Sequence, residues 1–166
     1  MNPKIYYPLS VLMLAGIKDI LIIVNKGQLH QFKKVLSDGS RFGVKIRYLE
    51  QSYPRGLPDA FILGEKFIGK DNVSLILGDN FFYAQSLTKK LKDCIKLSSG
   101  CKVLLHPVNS PELYGVAVIN KKKKVLQLKE KPKQSKSNLA VKTGFVDTPI
   151  PKPPVPVNFP IGGVMK

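Results

Sequence analysis

Apolar and polar residues alternate along the chain at two spacings, one typical of helices and one typical of strands. The segment Pro8–Ala15 has apolar residues every three or four positions, with Pro8 in its first turn and Gly16 at its end, which predicts a helix. The segment Asp19–Val24 is a short apolar run, DILIIV, which predicts a strand buried on both faces. The same two spacings continue as far as Lys129.

Further helices and strands follow from these patterns. Three more helices are predicted. The first stops at Asp38-Gly39, and its core face is Leu29, Phe32, Val35 and Leu36. The second is capped by Asp59, with the core face Ala60, Leu63, Gly64 and Phe67, and the third covers Ser86–Leu97, with Leu87, Leu91, Cys94 and Ile95 facing the core. Five more strands are predicted over Lys45–Gln51, Val73–Leu77, Cys101–Val108, Gly115–Asn120 and Val125–Lys129. Strands that alternate with helices are typical of an α/β fold with a mostly parallel sheet in three layers.

The alternation ends before residue 147, where the composition changes. Six prolines fall between Pro149 and Pro160, and proline cannot continue a helix or a central strand. We therefore expect one α/β domain over residues 1–146 and an irregular, proline-rich tail over residues 147–166.

The chain is strongly basic, which raises the question of an anionic partner. Its net charge is +16, and between Lys121 and Lys142 there are nine lysines but a single acid, Glu130. Nucleic-acid sites usually add arginines or interleaved aromatic residues to such a cluster, and this segment contains neither. We therefore favour a solvated turn between two strands over a nucleic-acid site. A basic rim would also attract anionic nucleotides or sugar phosphates.

Membrane spans, zinc sites and catalytic triads are disfavoured by the sequence. The apolar stretch Ile5–Ile17 is too short to cross a membrane. Cys94 and Cys101 lack the spacing of metal ligands and are expected to be reduced thiols in a cytoplasmic protein. His30 and His106 are isolated in the sequence, so no zinc site or Ser-His-Asp triad can be assigned to them.

The strand Val73–Leu77 runs directly into Gly78-Asp79-Asn80, which places a carboxylate at the carboxyl end of a buried strand. In open α/β sheets ligands bind at this edge. A carboxylate suits Mg²⁺, which usually arrives with substrate phosphates. The alternative is that Gly-Asp-Asn only forms a turn, as such residues often do.

Three further polar groups lie at the ends of predicted strands. Gln51 ends a strand and carries both a donor and an acceptor, which suits a base edge, and Gly56 in the following loop permits close backbone approach. Tyr114-Gly115 opens a strand, and Glu130-Lys131 combines an acceptor for sugar hydroxyls with a cation for a phosphate. Taken one at a time, each group is more typical of an ordinary loop or turn.

The order of these groups is more specific than any one of them. The segments IYYPLSVLMLAGIKDILII, LGDNFFY, PELYGVAVI and LKEKPKQSKSNLAV resemble the glucose-1-phosphate thymidylyltransferases, which are sugar nucleotidyltransferases. The resemblance covers residues 3–141 in the family's order and spacing, and it implies a Rossmann-like three-layer nucleotidyltransferase domain. It also implies an enzyme that joins dTTP and glucose 1-phosphate, with Mg²⁺, to give dTDP-glucose and pyrophosphate. That reaction is the first step towards dTDP-rhamnose and surface polysaccharide.

The resemblance also implies roles for individual residues. Asp79 corresponds to the family's Mg²⁺-binding aspartate, and Gln51 and Gly56 correspond to residues that contact the thymine. The glucose 1-phosphate site corresponds to Tyr114, Gly115, Glu130, Lys131 and Val141. Within that site Lys131 lies near the phosphate and Val141 lines the sugar pocket. The implied reaction is an in-line attack by a sugar phosphate oxygen on the α-phosphorus of dTTP, which depends on positioning and charge neutralisation. Family members are commonly homo-oligomers.

The sequence departs from the family pattern in three places. The family's first strand and its Gly-Gly-x-Gly-Thr-Arg phosphate loop are absent from the 166 residues, so the domain is expected to be partial and no catalytic residue is assigned. Ser52, Pro58 and Asp59 replace a usual proline, alanine and glutamine. Past Val141 the family pattern is lost, as a frameshift would explain. We therefore expect little or no turnover from these residues alone, because the loop that stabilises the developing charge is missing.

Other functions stay open at this point. The chain could bind a sugar phosphate or a full-length partner without catalysis. It could also transfer a nucleotide with another base or sugar specificity, because the loop after Gln51 has diverged. Nucleic-acid binding through Lys121–Lys142 is a further, less favoured alternative.

Overall fold

The computed structural model describes residues 4–53, 57–96 and 100–146. Helices and strands alternate up to Pro107, and three further strands follow without an α-helix between them. The helices are α1 (Tyr6–Ala15), α2 (Leu29–Leu36), α3 (Leu57–Leu63), α4 (Glu65–Ile68) and α5 (Leu87–Ile95). The strands are β1 (Asp19–Asn25), β2 (Lys45–Gln51), β3 (Val73–Ile76), β4 (Cys101–Pro107), β5 (Gly115–Ile119), β6 (Val125–Glu130) and β7 (Leu139–Val146). The predicted α/β fold class is confirmed.

Tertiary contacts divide the described residues into two compact units. Residues 103–144 form unit 2, and the other described residues form unit 1. The boundaries therefore fall within β4 and within β7. The predicted tail, residues 147–166, lies outside the described residues.

Unit 1 contains the parallel part of the fold. β1 and β2 pair in parallel over their whole length, from Asp19 opposite Lys45 to Asn25 opposite Gln51. The five middle residues of β1 are all buried, as its apolar run predicts. β3 is buried at every position and pairs with β7, which ends in unit 1.

The core of unit 1 forms where α3 and α4 pack against the strands. Its members are the buried residues Leu21, Ile23, Ala60 and Leu75, with Phe61, Leu63 and Phe67 packed against them. Fully burying such an apolar side chain stabilises the fold by about 1.5–3 kcal/mol. This burial packs α3 and α4 against β1 and β3.

Two predicted helices differ in detail from the observed ones. The third helix begins at Leu57, so Asp59 lies in its first turn instead of capping it. Proline is tolerated there because the first-turn N–H groups lack helical partners in any case, which lets the helix begin before Pro58. The helix also breaks at Gly64, where an added Cβ atom would lie only 2.9 Å from the carbonyl oxygen of Ala60. In α5, Ile95 is 41% exposed and does not face the core as predicted.

Unit 2 is built around antiparallel strands. β5 pairs with β6, from Gly115 opposite Glu130 to Ile119 opposite Val125. β5 also pairs with β7 on its other side, and β7 pairs with β4. The four lysines from Lys121 to Lys124 are all exposed in the turn that joins β5 to β6, which confirms the predicted solvated turn. β7 itself was not predicted from the pattern.

No helix within the described part of the chain is both long enough and apolar enough to cross a lipid bilayer.

Candidate functional site

The carboxyl ends of β1 and β2 are held together by three hydrogen bonds. Gln51 is 9% exposed as a residue, and its Nε2 donates to Oδ1 of Asn25 at 3.0 Å. The backbone N–H of Lys26 donates to the carbonyl of Gln51 at 3.1 Å, and that of Gly27 donates to Oε1 of Glu50 at 3.0 Å. Gln51 therefore lies at the carboxyl end of a parallel strand pair, the edge at which ligands bind in open α/β sheets. Gly56, the other predicted base-contacting residue, lies outside the described residues.

Asp79 lies in the turn that follows β3. The turn is closed by a hydrogen bond from the N–H of Asn80 to the carbonyl of Leu77 at 3.1 Å, and the side chain of Asp79 is exposed. Within the part of the chain that is described, no three histidine, cysteine, aspartate or glutamate residues come together to hold a metal ion. Mg²⁺ commonly uses one or two protein carboxylates together with substrate phosphates and water. A single exposed carboxylate at this edge therefore fits the predicted role of Asp79.

Gly115 and Glu130 form the centre of a second group of polar residues, in unit 2. They are directly opposite each other on β5 and β6, and a Cβ atom added to Gly115 would lie 2.9 Å from Oε2 of Glu130. The Glu130 carboxylate therefore occupies the space above Gly115, and the absence of a side chain at Gly115 is what permits this. Burial raises the pKa of the Glu130 carboxyl, and the positive charge of Lys131 partly offsets the rise.

Lys131 continues this group immediately after β6. Its backbone N–H donates to the carbonyl of Tyr114 at 3.0 Å, so the two pairs Tyr114-Gly115 and Glu130-Lys131 are tied together. Its φ of 41° lies in the left-handed region, and its side chain is exposed. A non-glycine residue held in such a sparsely populated conformation costs about 1–3 kcal/mol. The backbone thus turns sharply at the point where the lysine ammonium leaves the strand.

Val141 lies on β7, which pairs with β5 on the side away from β6. Val116 pairs with Ala140 across antiparallel strands, and the half-buried Val141 is the residue that follows Ala140. β5 therefore has the strand of Glu130 on one side and the strand of Val141 on the other.

The predicted residues thus fall into separate groups. Unit 2 brings together all of the predicted sugar-phosphate residues, which are Tyr114, Gly115, Glu130, Lys131 and Val141. Gln51 and Asp79 both lie in unit 1, at the ends of β2 and β3. The sequence analysis missed Asn25, although a polar residue that ends a buried apolar strand is a signal that could have found it.

Comparison with known proteins shows the family to which the chain belongs. The model of the nucleotidyl transferase family matches residues 1–147. A glucose-1-phosphate thymidylyltransferase from Neisseria meningitidis is 50% identical over 140 residues, which are 84% of this chain and 49% of that protein. One from Xanthomonas campestris is 45% identical, again over 84% of this chain and 48% of that protein. The chain spans about half the length of these curated relatives.

The fold has a close likeness among solved structures. A Bacillus anthracis protein named as a glucose-1-phosphate thymidylyltransferase, in complex with a sucrose, superposes with a TM-score of 0.80 at 36% identity. The match covers 87% of this chain and 58% of that one. The Rossmann-like nucleotidyltransferase fold and the resemblance are therefore confirmed. The chain belongs to the nucleotidyl transferase family.

Proposed function

We propose that this chain carries part of a glucose-1-phosphate thymidylyltransferase, which converts dTTP and glucose 1-phosphate to dTDP-glucose and pyrophosphate. The observation that supports it most is the grouping of Gly115, Glu130, Lys131 and Val141 on neighbouring strands of one unit. The names of the Neisseria and Xanthomonas relatives agree with it. The product would enter the synthesis of dTDP-rhamnose and surface polysaccharide in the cytoplasm, where the free thiols of Cys94 and Cys101 stay reduced.

The sugar-phosphate group has the donors and acceptors that the substrate needs. Glu130 would accept hydrogen bonds from sugar hydroxyls, and hydrogen bonds to a charged acceptor contribute about 1.5–3 kcal/mol. Lys131 would attract the phosphate with its exposed ammonium. Val141 would pack against the apolar face of the sugar ring, and Gly115 would leave room beside the carboxylate.

The reaction itself would be an in-line displacement. An oxygen of the glucose 1-phosphate would bond to the α-phosphorus of dTTP as the bond to the bridging oxygen of pyrophosphate breaks, and pyrophosphate would leave with the electron pair. Gln51 would orient the base, and Asp79 would hold Mg²⁺ at the strand edge. When bound, Mg²⁺ neutralises phosphate charge. The residues of this chain contribute positioning, which can lower such a barrier by several kcal/mol.

A second candidate function is sugar-phosphate binding without turnover. It is favoured by the fact that all five sugar-phosphate residues come from one unit, residues 103–144. We infer that the 166 residues alone bind glucose 1-phosphate with little turnover, because they contain no Gly-Gly-x-Gly-Thr-Arg loop to stabilise the charge that develops on the nucleotide.

The two candidates are separated by measuring turnover and binding on the same purified chain. Pyrophosphate release with dTTP, glucose 1-phosphate and Mg²⁺ reports turnover, and calorimetry reports glucose 1-phosphate binding. Lys131→Ala should weaken that binding, whereas Lys123→Ala should not. The two lysines are matched, because both are exposed and both have left-handed φ angles, 41° and 59°. Equal binding by both variants would refute the phosphate role of Lys131, and a normal turnover rate would refute the expectation of inactivity.

A further inference from the structure

The chain between β6 and β7 is joined to β5 by the side chain of Ser137. Its Oγ donates to the carbonyl of Ala117 at 2.7 Å and accepts the backbone N–H of Leu139 at 3.2 Å. Both partners are backbone groups with a single role, because a carbonyl only accepts and an N–H only donates. The partners therefore fix the direction of both bonds, and the hydroxyl links the first residue of β7 to the middle of β5.

The backbone that carries this hydroxyl is itself hydrogen-bonded on both sides. The Oγ of Ser135 accepts the backbone N–H of Ser137 at 3.1 Å and donates to its carbonyl at 2.6 Å. The carbonyl of the next residue, Asn138, accepts the N–H of Val108 at 2.9 Å. The half-buried Ser137 side chain therefore starts from a backbone whose position is defined by its neighbours.

The link to Ala117 lies beside the pairing of β5 with β7. Among the described residues, one directly opposed pair aligns the two strands, and its members, Val116 and Ala140, are both buried. Ala117 and Leu139 are the chain neighbours of this pair, so the hydroxyl adds a second link next to it. Val141 directly follows Ala140. The alignment of β7 on β5 therefore decides where Val141 lies.

We propose that Ser137 is a positioning residue for the sugar-phosphate site: by linking β7 to β5, its hydroxyl holds Val141 in place relative to Gly115 and Glu130. This inference rests on the proposed function, in which the sugar contacts both the valine and the carboxylate. Without the link, the start of β7 can move along or away from β5. The sugar would then lose its contact with the valine or with the carboxylate, and glucose 1-phosphate would bind more weakly.

Three variants separate the hydroxyl from general support of the fold. Ser137→Ala removes both bonds, whereas Ser137→Thr keeps the hydroxyl that forms them. Ser110→Ala is the matched control, because Ser110 is a half-buried serine of the same unit whose hydroxyl forms no hydrogen bond with a described residue. The loss of one hydrogen bond of ordinary strength corresponds to about a fivefold to tenfold change in an equilibrium.

The experiment is calorimetric titration of glucose 1-phosphate into the purified chain and the three variants, with circular dichroism to verify folding. We expect Ser137→Ala to bind about fivefold to tenfold more weakly, and Ser137→Thr and Ser110→Ala to bind like the original chain. Unchanged binding by Ser137→Ala, or an equal loss in Ser137→Thr, would overturn the role of the hydroxyl and leave the proposed function standing. An original chain that does not bind glucose 1-phosphate would instead overturn the proposed sugar-phosphate site.

The effect on Val141 has its own test, which does not depend on substrate binding. In protein with ¹³C-labelled valine methyl groups, the Val141 resonances should shift in Ser137→Ala. They should stay close to their original positions in Ser137→Thr and Ser110→Ala. Unmoved Val141 resonances in Ser137→Ala would overturn the inference directly.

Discussion

Substitution of Gly115 by alanine should damage the sugar-phosphate site while leaving the fold intact. The new Cβ atom would lie 2.9 Å from Oε2 of Glu130, several tenths of an ångström inside a normal contact. The atom that must move is the end of a flexible side chain, so the carboxylate can rotate away without shifting β6. The φ angle of Gly115 is not among the left-handed ones, so alanine can adopt this backbone. Reduced freedom of the unfolded chain then favours alanine by about 0.4–1 kcal/mol.

The expected loss therefore appears in binding and not in stability. If Glu130 is displaced, one or more hydrogen bonds to a charged acceptor are lost at about 1.5–3 kcal/mol each. That corresponds to a weakening of glucose 1-phosphate binding by about 10-fold to 150-fold. Calorimetric titration measures the affinity, and urea denaturation should find the free energy of unfolding within about 1 kcal/mol of the original value. A folded Gly115→Ala variant with unchanged affinity would refute the placement of the carboxylate in the sugar site.

Three further predictions concern stability, each measured by urea denaturation. Gly39 and Gly43 both have left-handed φ angles, 84° and 71°, but only an added Cβ atom at Gly39 would meet a backbone atom, 2.9 Å away at the carbonyl of Val44. Gly43→Ala should lower the free energy of unfolding by about 1–2 kcal/mol, and Gly39→Ala should lower it by about 1–3 kcal/mol more. Equal losses in the two variants would contradict the close approach of position 39 to the carbonyl of Val44. Leu91 is fully buried, so Leu91→Ala should lower the free energy of unfolding by about 2–5 kcal/mol. A smaller loss would mean that the neighbouring side chains fill the cavity left by the leucine. Burial raises the pKa of the Glu130 carboxyl, so ionisation of this group opposes folding. The free energy of unfolding should therefore fall as the pH rises through that raised pKa. Glu130→Gln should remove this pH dependence and should be more stable than the original protein at neutral pH. An unchanged pH profile in Glu130→Gln would show that the carboxyl is not desolvated.

The buried strands were the most predictable elements. β1 and β3 are short apolar runs, and a strand covered on both faces requires that composition. The helix after Gln51 was placed less well, because Pro58 is compatible both with a loop and with a first helical turn. β7 was missed because its sequence, LAVKTGFV, mixes polar and apolar residues without a clear period.

The sequence predicts which residues belong to the site but not which residues they contact on the neighbouring strands. Glu130 follows from its neighbours in sequence, whereas its position over Gly115 depends on the register between β5 and β6. The pairing of Asn25 with Gln51 likewise depends on the register of β1 and β2. Local periodicity indicates which residues form a strand, but the register is decided by the packing of the whole sheet.

The left-handed turn at Lys131 has a consequence for engineering this protein for heat resistance. Glycine adopts φ near 41° without the cost that lysine bears there, so a selection for thermostability alone would favour Lys131→Gly. The same substitution would remove the cation assigned to the phosphate, and it would sacrifice affinity for stability. At Lys123, with φ of 59° in the solvated turn, the corresponding change has no such conflict. Libraries that introduce glycine should therefore include position 123 and spare position 131.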